Sequence, residues 1–342
     1  MARVLAAMSG GVDSSVAAAL LRDDGHDVAG VTLKLWGGDS DSGCCTVSDV
    51  EDARRVAAQL GIDHYVWNFT DDFDQRVVTP YVDAYANGCT PNPCIECNRT
   101  MKWGRLLDRA IALRFDAIAT GHHARIVATA CGSRLARGAD PAKDQSYVLA
   151  MLDPAQLDRT MLPIGAMTKA GVRDRARVLG LRNAAKPDSQ DVCFVAGGDR
   201  SAFLGPRIER RSGRFLRSDG SVLGAHGGID AFTIGQRRGL GIASGERTFV
   251  VDIDATTGDV VLGRRDELLR DEQPFSRPTF VGARPRRADE LFVQVRAHGE
   301  PATGRVEVDR VVWSQAQPRV APGQSLVFYD GDVVIGTALA AA

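Results

Sequence analysis

The sequence predicts an α/β protein, a doubly wound parallel sheet followed by two small β-rich domains. Three observations predict it. Through the first 200 residues, apolar strand-like runs alternate with amphipathic stretches long enough for crossover helices. A glycine pair in SGGVDSS (9–15) sits between the first such run and the first helical stretch. Beyond about residue 200, helical periodicity fades, glycines crowd and short β-branched runs take over.

Element by element, Val4–Met8 reads as the first strand, and SVAAALLRDDG as an amphipathic helix closing near Gly25. DVAGVTLKLW is the second strand. SDVEDARRVAAQLG is a helix for which Ser48 and Glu51 form a capping box. IDHYVWNF is a strand, DDFDQRVVTPYVDAYANG and ECNRTMKWGRLLDRAIALRF are helices, DAIATGHHARI is a strand, and TKAGVRDRARVLGL is a last helix. The later runs TFVVDIDATTGDVVLG, LFVQVR, RVEVDRVVW and QSLVFYDGDVVIGTALA read as small antiparallel modules. With DEQPFSRPTF (271–280) as the proline-bearing boundary, the expected domains are 1–200, 201–273 and 274–342.

Composition narrows the classes. With 44% hydrophobic and 25% charged residues the chain is that of a globular protein, and no apolar stretch approaches the ~20 residues of a membrane span. The glycine pair and Asp13 interrupt the N-terminal apolar run too early for a secretion signal, so a cytoplasmic protein is expected. Seven cysteines, odd in number and irregularly spaced, do not form a disulfide framework. A net charge of -1 gives no global attraction for nucleic acid, which leaves local patches: Arg207, Arg210, Arg211, Arg214 and Arg217, then Arg284, Arg286 and Arg287. Lysine is scarce. Only Lys34, Lys102, Lys143, Lys169 and Lys186 occur, each a candidate for a place where arginine does not serve.

The 9–15 loop is read as a phosphate cradle. Gly10 and Gly11 let the backbone close on an anion at a helix N-terminus, Ser9 and Ser14 add hydroxyls, and Asp13 offers a carboxylate to Mg2+. The dipeptide Gly-Lys is absent, which argues against a kinase-type loop. A loop gripping pyrophosphate in this way suits cleavage of ATP between its α- and β-phosphates. The alternative is an ordinary strand–helix turn with glycines for geometry.

The cysteines are more selective. In TPNPCIECNRTMKW, Cys94 and Cys97 form a CxxC at the front of a helix, where the dipole favours thiolate. In KPDSQDVCF, Cys193 lies 96 residues beyond Cys97, with Asp188, Ser189, Gln190 and Asp191 before it. Half a zinc site and inert burial are the other readings. Cys44, Cys45, Cys89 and Cys131 carry no motif.

SGGVDSS resembles the signature of the PP-loop ATP pyrophosphatase superfamily, whose core is Rossmann-like. SGGVDSS, TPNPCIECN, ATGHHAR, KDQSY, KPDSQDVCF, FTIGQRRGLG and PGQSLVFYDGD, in that order, resemble the bacterial tRNA-specific 2-thiouridylases from residue 4 to about 336. The resemblance implies a sulfurtransferase that adenylates C2 of the wobble uridine and replaces its oxygen with sulfur. It implies Cys193 as the persulfide carrier and Cys97 as its partner, with ATP on Ala7, Met8, Ser9, Gly10, Gly11, Val12, Asp13, Ser14, Leu33 and Gly121. It implies tRNA contacts at Asn92, Pro93, Cys94, His122, Lys143, Asp144, Gln145, Arg296, Ala297 and Gln324. Relatives usually carry Gly at Ala7, Asp at Cys94, Tyr at His123 and Tyr at Ala297. His123 is therefore read as packing.

The implied partners are glutamate, lysine and glutamine tRNAs and a sulfur-relay protein or cysteine desulfurase, with a monomer and no membrane expected. No resident metal is expected; an iron–sulfur cluster on Cys94, Cys97 and Cys193 is the minority reading. The competing functions are another adenylating ligase acting on a small molecule, and a metal-bearing or iron–sulfur RNA-binding protein.

Overall fold

The computed structural model describes residues 1–37, 46–130, 132–188, 192–242 and 247–342; Cys44, Cys45, Cys131, Ser189, Gln190 and Asp191 fall outside these. The polypeptide divides into two units. The first comprises Met1–Val77, Pro93–Gly198 and Asp332–Val334, and the second Val78–Asn92, Asp199–Gly331 and Ile335–Ala342.

In the first unit, β1 (Arg3–Ala7), β2 (Asp27–Lys34), β3 (His64–Asn68), β4 (Ala117–Ala119) and β7 (Thr160–Met161) form a parallel sheet in the order β3-β2-β1-β4-β7. Strand order runs outward from β1 in both directions, so the doubly wound expectation holds and its switch point lies at the C-terminal end of β1. β1 is nearly all apolar because both of its faces are covered: Val4 and Leu5 have no exposure. Helices α1 (Val12–Asp23) and α2 (Val47–Leu60) and the helix Lys169–Val178 contribute Val16, Ala19, Val56, Leu60, Val172 and Ala176 to the core under Val4, Ala6 and Met8. Alanines along α1 let the neighbouring helices approach closely.

Two local expectations are corrected. The capping box of α2 is built by Thr46 and Asp49, not Ser48 and Glu51: the Asp49 N–H donates to Thr46 Oγ1, and the Thr46 N–H donates to Asp49. The stretch expected as one strand through DAIATGHHARI is two. β4 ends at Ala119, and β5 (Ala124–Thr129) pairs antiparallel with β6 (Gly132–Arg137). The break frees Gly121–His123 to turn back over the 9–14 loop.

In the second unit, β8 (Gly213–Arg217), β9 (Val222–His226), β10 (Phe249–Asp254) and β11 (Asp259–Gly263) form a sheet in the order β10-β11-β8-β9. Its two hairpins meet through β11 and β8, which run parallel where an antiparallel module was expected. That edge is chosen by burial, which gathers Phe215, Val250, Val260 and Leu262 in one cluster. The six strands β12 (Leu269–Phe280), β13 (Glu290–Gln294), β14 (Ala302–Val306), β15 (Arg310–Pro318), β16 (Ser325–Asp330) and β17 (Val333–Ala340) follow in the order β12-β15-β14-β13-β16-β17, and β12 pairs with β17 to close a barrel. Leu326, Phe328, Val311 and Val293 fill it. Among the described residues, no helix is long and apolar enough to cross a membrane.

Candidate active site

The chain leaves β1 at Ala7, and Met8 is held by its N–H to the Val31 carbonyl at 2.8 Å. Gly10 then adopts φ +74°, and a Cβ there would lie 2.3 Å from the Asp49 carbonyl oxygen, so glycine is required. Gly11 caps α1 without a side-chain hydrogen bond, which leaves first-turn N–H groups open to an anion. The Ser14 hydroxyl is spent inside the loop: it accepts from the Ser9 N–H at 3.2 Å and donates to the Gly11 carbonyl at 3.2 Å. From behind, Asn183 Nδ2 donates to the Gly10 carbonyl at 3.1 Å, and Lys186 Nζ donates to Asp49 and Asp52, both at 2.7 Å. Burial works against the Lys186 charge, but these carboxylates outweigh it and hold the amine above its ordinary value. The loop is a braced turn whose geometry suits an anion. Val12 is buried at the start of α1, Leu33 is buried near the end of β2, and Gly121 approaches so closely that a Cβ would lie 2.5 Å from the Ser14 nitrogen.

Asp13 occupies the first turn of α1 and is not open. Lys169 Nζ donates to both of its carboxylate oxygens, at 2.8 and 2.6 Å, and His123 Nε2 lies 3.3 Å from one of them. Burial raises the Asp13 pKa, and the hydrogen bonds from His123 and Lys169 with the lysine charge more than offset it. His123 is thus a partner of the loop carboxylate, more than the packing residue expected. A divalent ion accompanying a polyphosphate would find oxygen donors of the right kind at Asp13. The Lys169 ammonium holds that position.

Lys169 is shared. Its Nζ also lies 2.8 Å from Asp188, which in turn accepts from Lys143 at 2.7 Å and Arg173 at 3.0 Å. Burial opposes the Asp188 charge, and the two lysines overcome it, bringing its pKa down to about 2. One connected chain, Lys143–Asp188–Lys169–Asp13–His123, therefore joins the KDQSY loop, the KPDSQDVCF segment and the 9–14 loop.

Cys94 lies exposed in the short helix Pro93–Glu96, Pro93 is buried, and half-buried Cys97 opens the wide π-helical stretch Cys97–Leu106. Such widened turns recur at functional sites. The helix is fixed by Trp103 Nε1, which donates to Thr160 Oγ1 at 2.7 Å, and by Asn98 Nδ2, which donates to the Val148 carbonyl at 2.9 Å. Val148 belongs to the turn that Gln145 ties to His123: Gln145 Oε1 accepts from the His123 N–H at 2.8 Å. Beside Cys193, the Phe194 ring packs edge-on against Phe73 at 5.7 Å and near Trp36 at 6.1 Å. Asp72, next to Phe73, accepts from Arg105 of the Cys97 helix at 3.1 Å. The Cys97 helix is thus linked to the loop region through a short bonded path, and aromatic packing sets the residue after Cys193 against the element that Arg105 of that helix holds. Among the described residues, no three His, Cys, Asp or Glu side chains, Cys94, Cys97 and Cys193 included, form a metal-ligand group.

The expected RNA contacts divide. Lys143 reaches solvent, its side chain 40% exposed. Asp144 is buried, its carboxylate taken by the Gly138 and Ser146 N–H groups, the Ser146 hydroxyl and Arg137. His122 is buried as well: burial holds its pKa well below the ordinary value, and its Nδ1 lies 2.7 Å from Thr120 Oγ1. Asn92, in the second unit, is half-buried. In the barrel, Arg296 is exposed, and Gln294 Nε2 donates to the Arg296 and Ala297 carbonyls at 2.9 and 3.3 Å; Gln324 is half-buried. Of the arginine patches, Arg210 pairs with Asp230, Arg214 with Asp259 and Arg286 with Asp289, which reduces the field they offer.

Sequence reasoning missed His123 and Asn183 as parts of the site, and it raised Lys169 and Lys186 only as two of five scarce lysines. The one signal available was the scarcity of lysine: three of the five, Lys143, Lys169 and Lys186, meet here.

A parallel sheet with a braced glycine loop and a half-buried, cation-paired carboxylate at its switch point defines a nucleotide-handling α/β domain of the HUP class. The family model described as tRNA methyl transferase HUP domain matches residues 2–197, the tRNA methyl transferase PRC-barrel domain matches 201–264, and the aminomethyltransferase beta-barrel domain matches 270–340. The tRNA-specific 2-thiouridylase MnmA of Roseiflexus castenholzii is 46% identical over 366 residues, covering 98% of each chain. That of Mycobacteroides abscessus is 47% identical over 358 residues, covering 98% of this chain and 99% of its own. The chain belongs to the MnmA family of tRNA-specific 2-thiouridylases. A 4-thiouridine synthetase–RNA complex with bound ATP is a remote structural likeness, at 16% identity and a TM-score of 0.40 over 58% of this chain and 45% of that one.

Proposed function

We propose that this protein is an ATP-dependent tRNA-uridine 2-sulfurtransferase. The observation that carries the reading is the convergence on Asp13: a bonded path runs to it from the Cys97 helix through Asn98 and His123, and another from Asp188, five positions before Cys193, through Lys169. Carbonyl oxygen at C2 of uridine is a poor leaving group, and transfer of the ATP adenylyl group to it makes it a good one.

The chain's own residues then have distinct tasks. Gly10, Gly11 and the first-turn N–H groups of α1 hold the pyrophosphate, and Lys169 balances charge beside it. Gly121 and Leu33 shape the nucleotide side of the pocket. Cys193 carries the incoming sulfur as a persulfide, and Cys97 attacks its inner sulfur, releasing sulfide to C2 and leaving a Cys97–Cys193 disulfide for a thiol reductant to reopen. Exposed Cys94, with Asn92 and Pro93, faces the base, and Lys143, Gln145, Arg296, Ala297 and Gln324 meet the RNA. A wobble base lies in a single-stranded loop and is turned out at little cost.

The finer reading is that glutamate, lysine and glutamine tRNAs are the substrates, Mg2+ accompanies the nucleotide, and a relay protein or cysteine desulfurase brings sulfur. The protein acts as a cytoplasmic monomer with domains at 1–200, 201–273 and 274–342. The test is incubation of the purified protein with unmodified glutamate tRNA, ATP, Mg2+ and sulfide. A sulfur-for-oxygen mass increase on the wobble nucleoside, dependent on ATP, is expected. Absence of both that product and pyrophosphate release overturns the reading.

A further inference from the structure

We propose that Asp188 is a positioning residue that couples RNA binding at Lys143 to divalent-cation binding at Asp13, with the Lys169 ammonium as the part that moves. The inference rests on the thiouridylase reading and deepens it. Asp13 has both carboxylate oxygens on Lys169 Nζ, at 2.8 and 2.6 Å, so a divalent ion competes with the ammonium for them and is favoured when the ammonium withdraws. The lysine is only 11% exposed and needs another anion close by when it leaves. Asp188, already 2.8 Å away, is that anion.

Asp188 is, however, already shared among three cations. Its Oδ1 receives Lys169 and Arg173, and its Oδ2 receives Lys143 at 2.7 Å. Arg173 cannot leave freely, because its guanidinium also donates to the Ala184 and Lys186 carbonyls at 2.9 and 3.0 Å. Lys143 can: it is the most exposed member, at 40%. An RNA phosphate that draws Lys143 outward vacates Oδ2. Asp188 then takes Lys169 more fully, and Asp13 opens toward the cation that accompanies the polyphosphate. The two binding events favour each other, by the same factor in both directions.

The test uses the full-length protein, Mn2+ as a paramagnetic probe, an ATP analogue with a methylene between the α- and β-phosphorus atoms, and unmodified glutamate tRNA. In the native protein, saturating tRNA is expected to tighten Mn2+–analogue binding by about 5–10-fold, and the analogue with Mn2+ to tighten tRNA binding equally. In Asp188→Asn both ligands still bind but the mutual gain falls to within about twofold. Asp188→Glu, which restores the shared carboxylate, recovers most of the gain; a purely structural role would not produce this pattern. Native protein that binds both ligands without mutual effect, or an Asp188→Asn protein that keeps the full gain, overturns the proposal while leaving the thiouridylase reading intact. Native protein that binds no tRNA overturns that reading and the coupling with it.

Discussion

At the scale of single residues, the site is a string of carboxylates and amines in which each charge has a partner. Asp188 shows the consequence for stability. Its folded pKa of about 2 lies below the ordinary 3.8, so its contribution is fully present above about pH 4 and is lost as pH falls through 2. Asp188→Asn is therefore expected to flatten the acid limb of a stability–pH profile between those values, measured by urea unfolding at several pH values. The sulfur chemistry makes a second prediction. With a persulfide donor in place of free sulfide, Cys97→Ser and Cys193→Ser each lose 2-thiouridine formation while retaining tRNA-dependent pyrophosphate release, because adenylation precedes sulfur transfer; coupled phosphate assay and nucleoside mass spectrometry read the two steps separately. The motifs singled out Asp13 and both cysteines as candidates. Lys169 was not singled out in this way, because it stands 156 positions from Asp13 and reaches it only through packing of the Lys169–Val178 helix against α1.

Among the elements, the end of β4 matters most for the loop. A Cβ at Gly121 would lie 2.5–2.8 Å from backbone atoms of Asp13 and Ser14, neither of which can swing aside as a side chain would. Gly121→Ala is expected to cost about 1–3 kcal/mol and to weaken nucleotide binding, by thermal unfolding and titration with the ATP analogue. At the start of α2, Thr46→Ala removes one half of the capping box and should cost about 1 kcal/mol, whereas Ser48→Ala should cost little. Periodicity located α2 correctly. The cap residue was misplaced because Ser48 and Glu51 satisfy the same spacing rule as Thr46 and Asp49, and only the path of the chain entering the helix separates them.

Across the whole molecule, the parallel sheet and the β-rich remainder were readable in order, yet the company kept by one segment was not. Val78–Asn92 belongs with the second unit, where Tyr81 packs at 6.4 Å from Phe203 and the Arg200 guanidinium donates to Tyr85 Oη at 3.1 Å. A fragment cut at Gly198 therefore strips the cover from two buried tyrosines. Fragment 1–198 is expected to be less soluble and to melt earlier than the full chain, as read by light scattering during a thermal ramp. By itself, the sequence determined most of the elements and which residues were candidates for the chemistry: glycine pair, carboxylate and thiols depend on residue type and short spacing, which a linear string displays. Only the tertiary structure decided which charges meet, that Asp13 is held by Lys169, and that Asp188 joins three distant segments. Those contacts arise when helices far apart in the chain bury their apolar faces on one sheet, and nothing local encodes which polar ends that packing brings together.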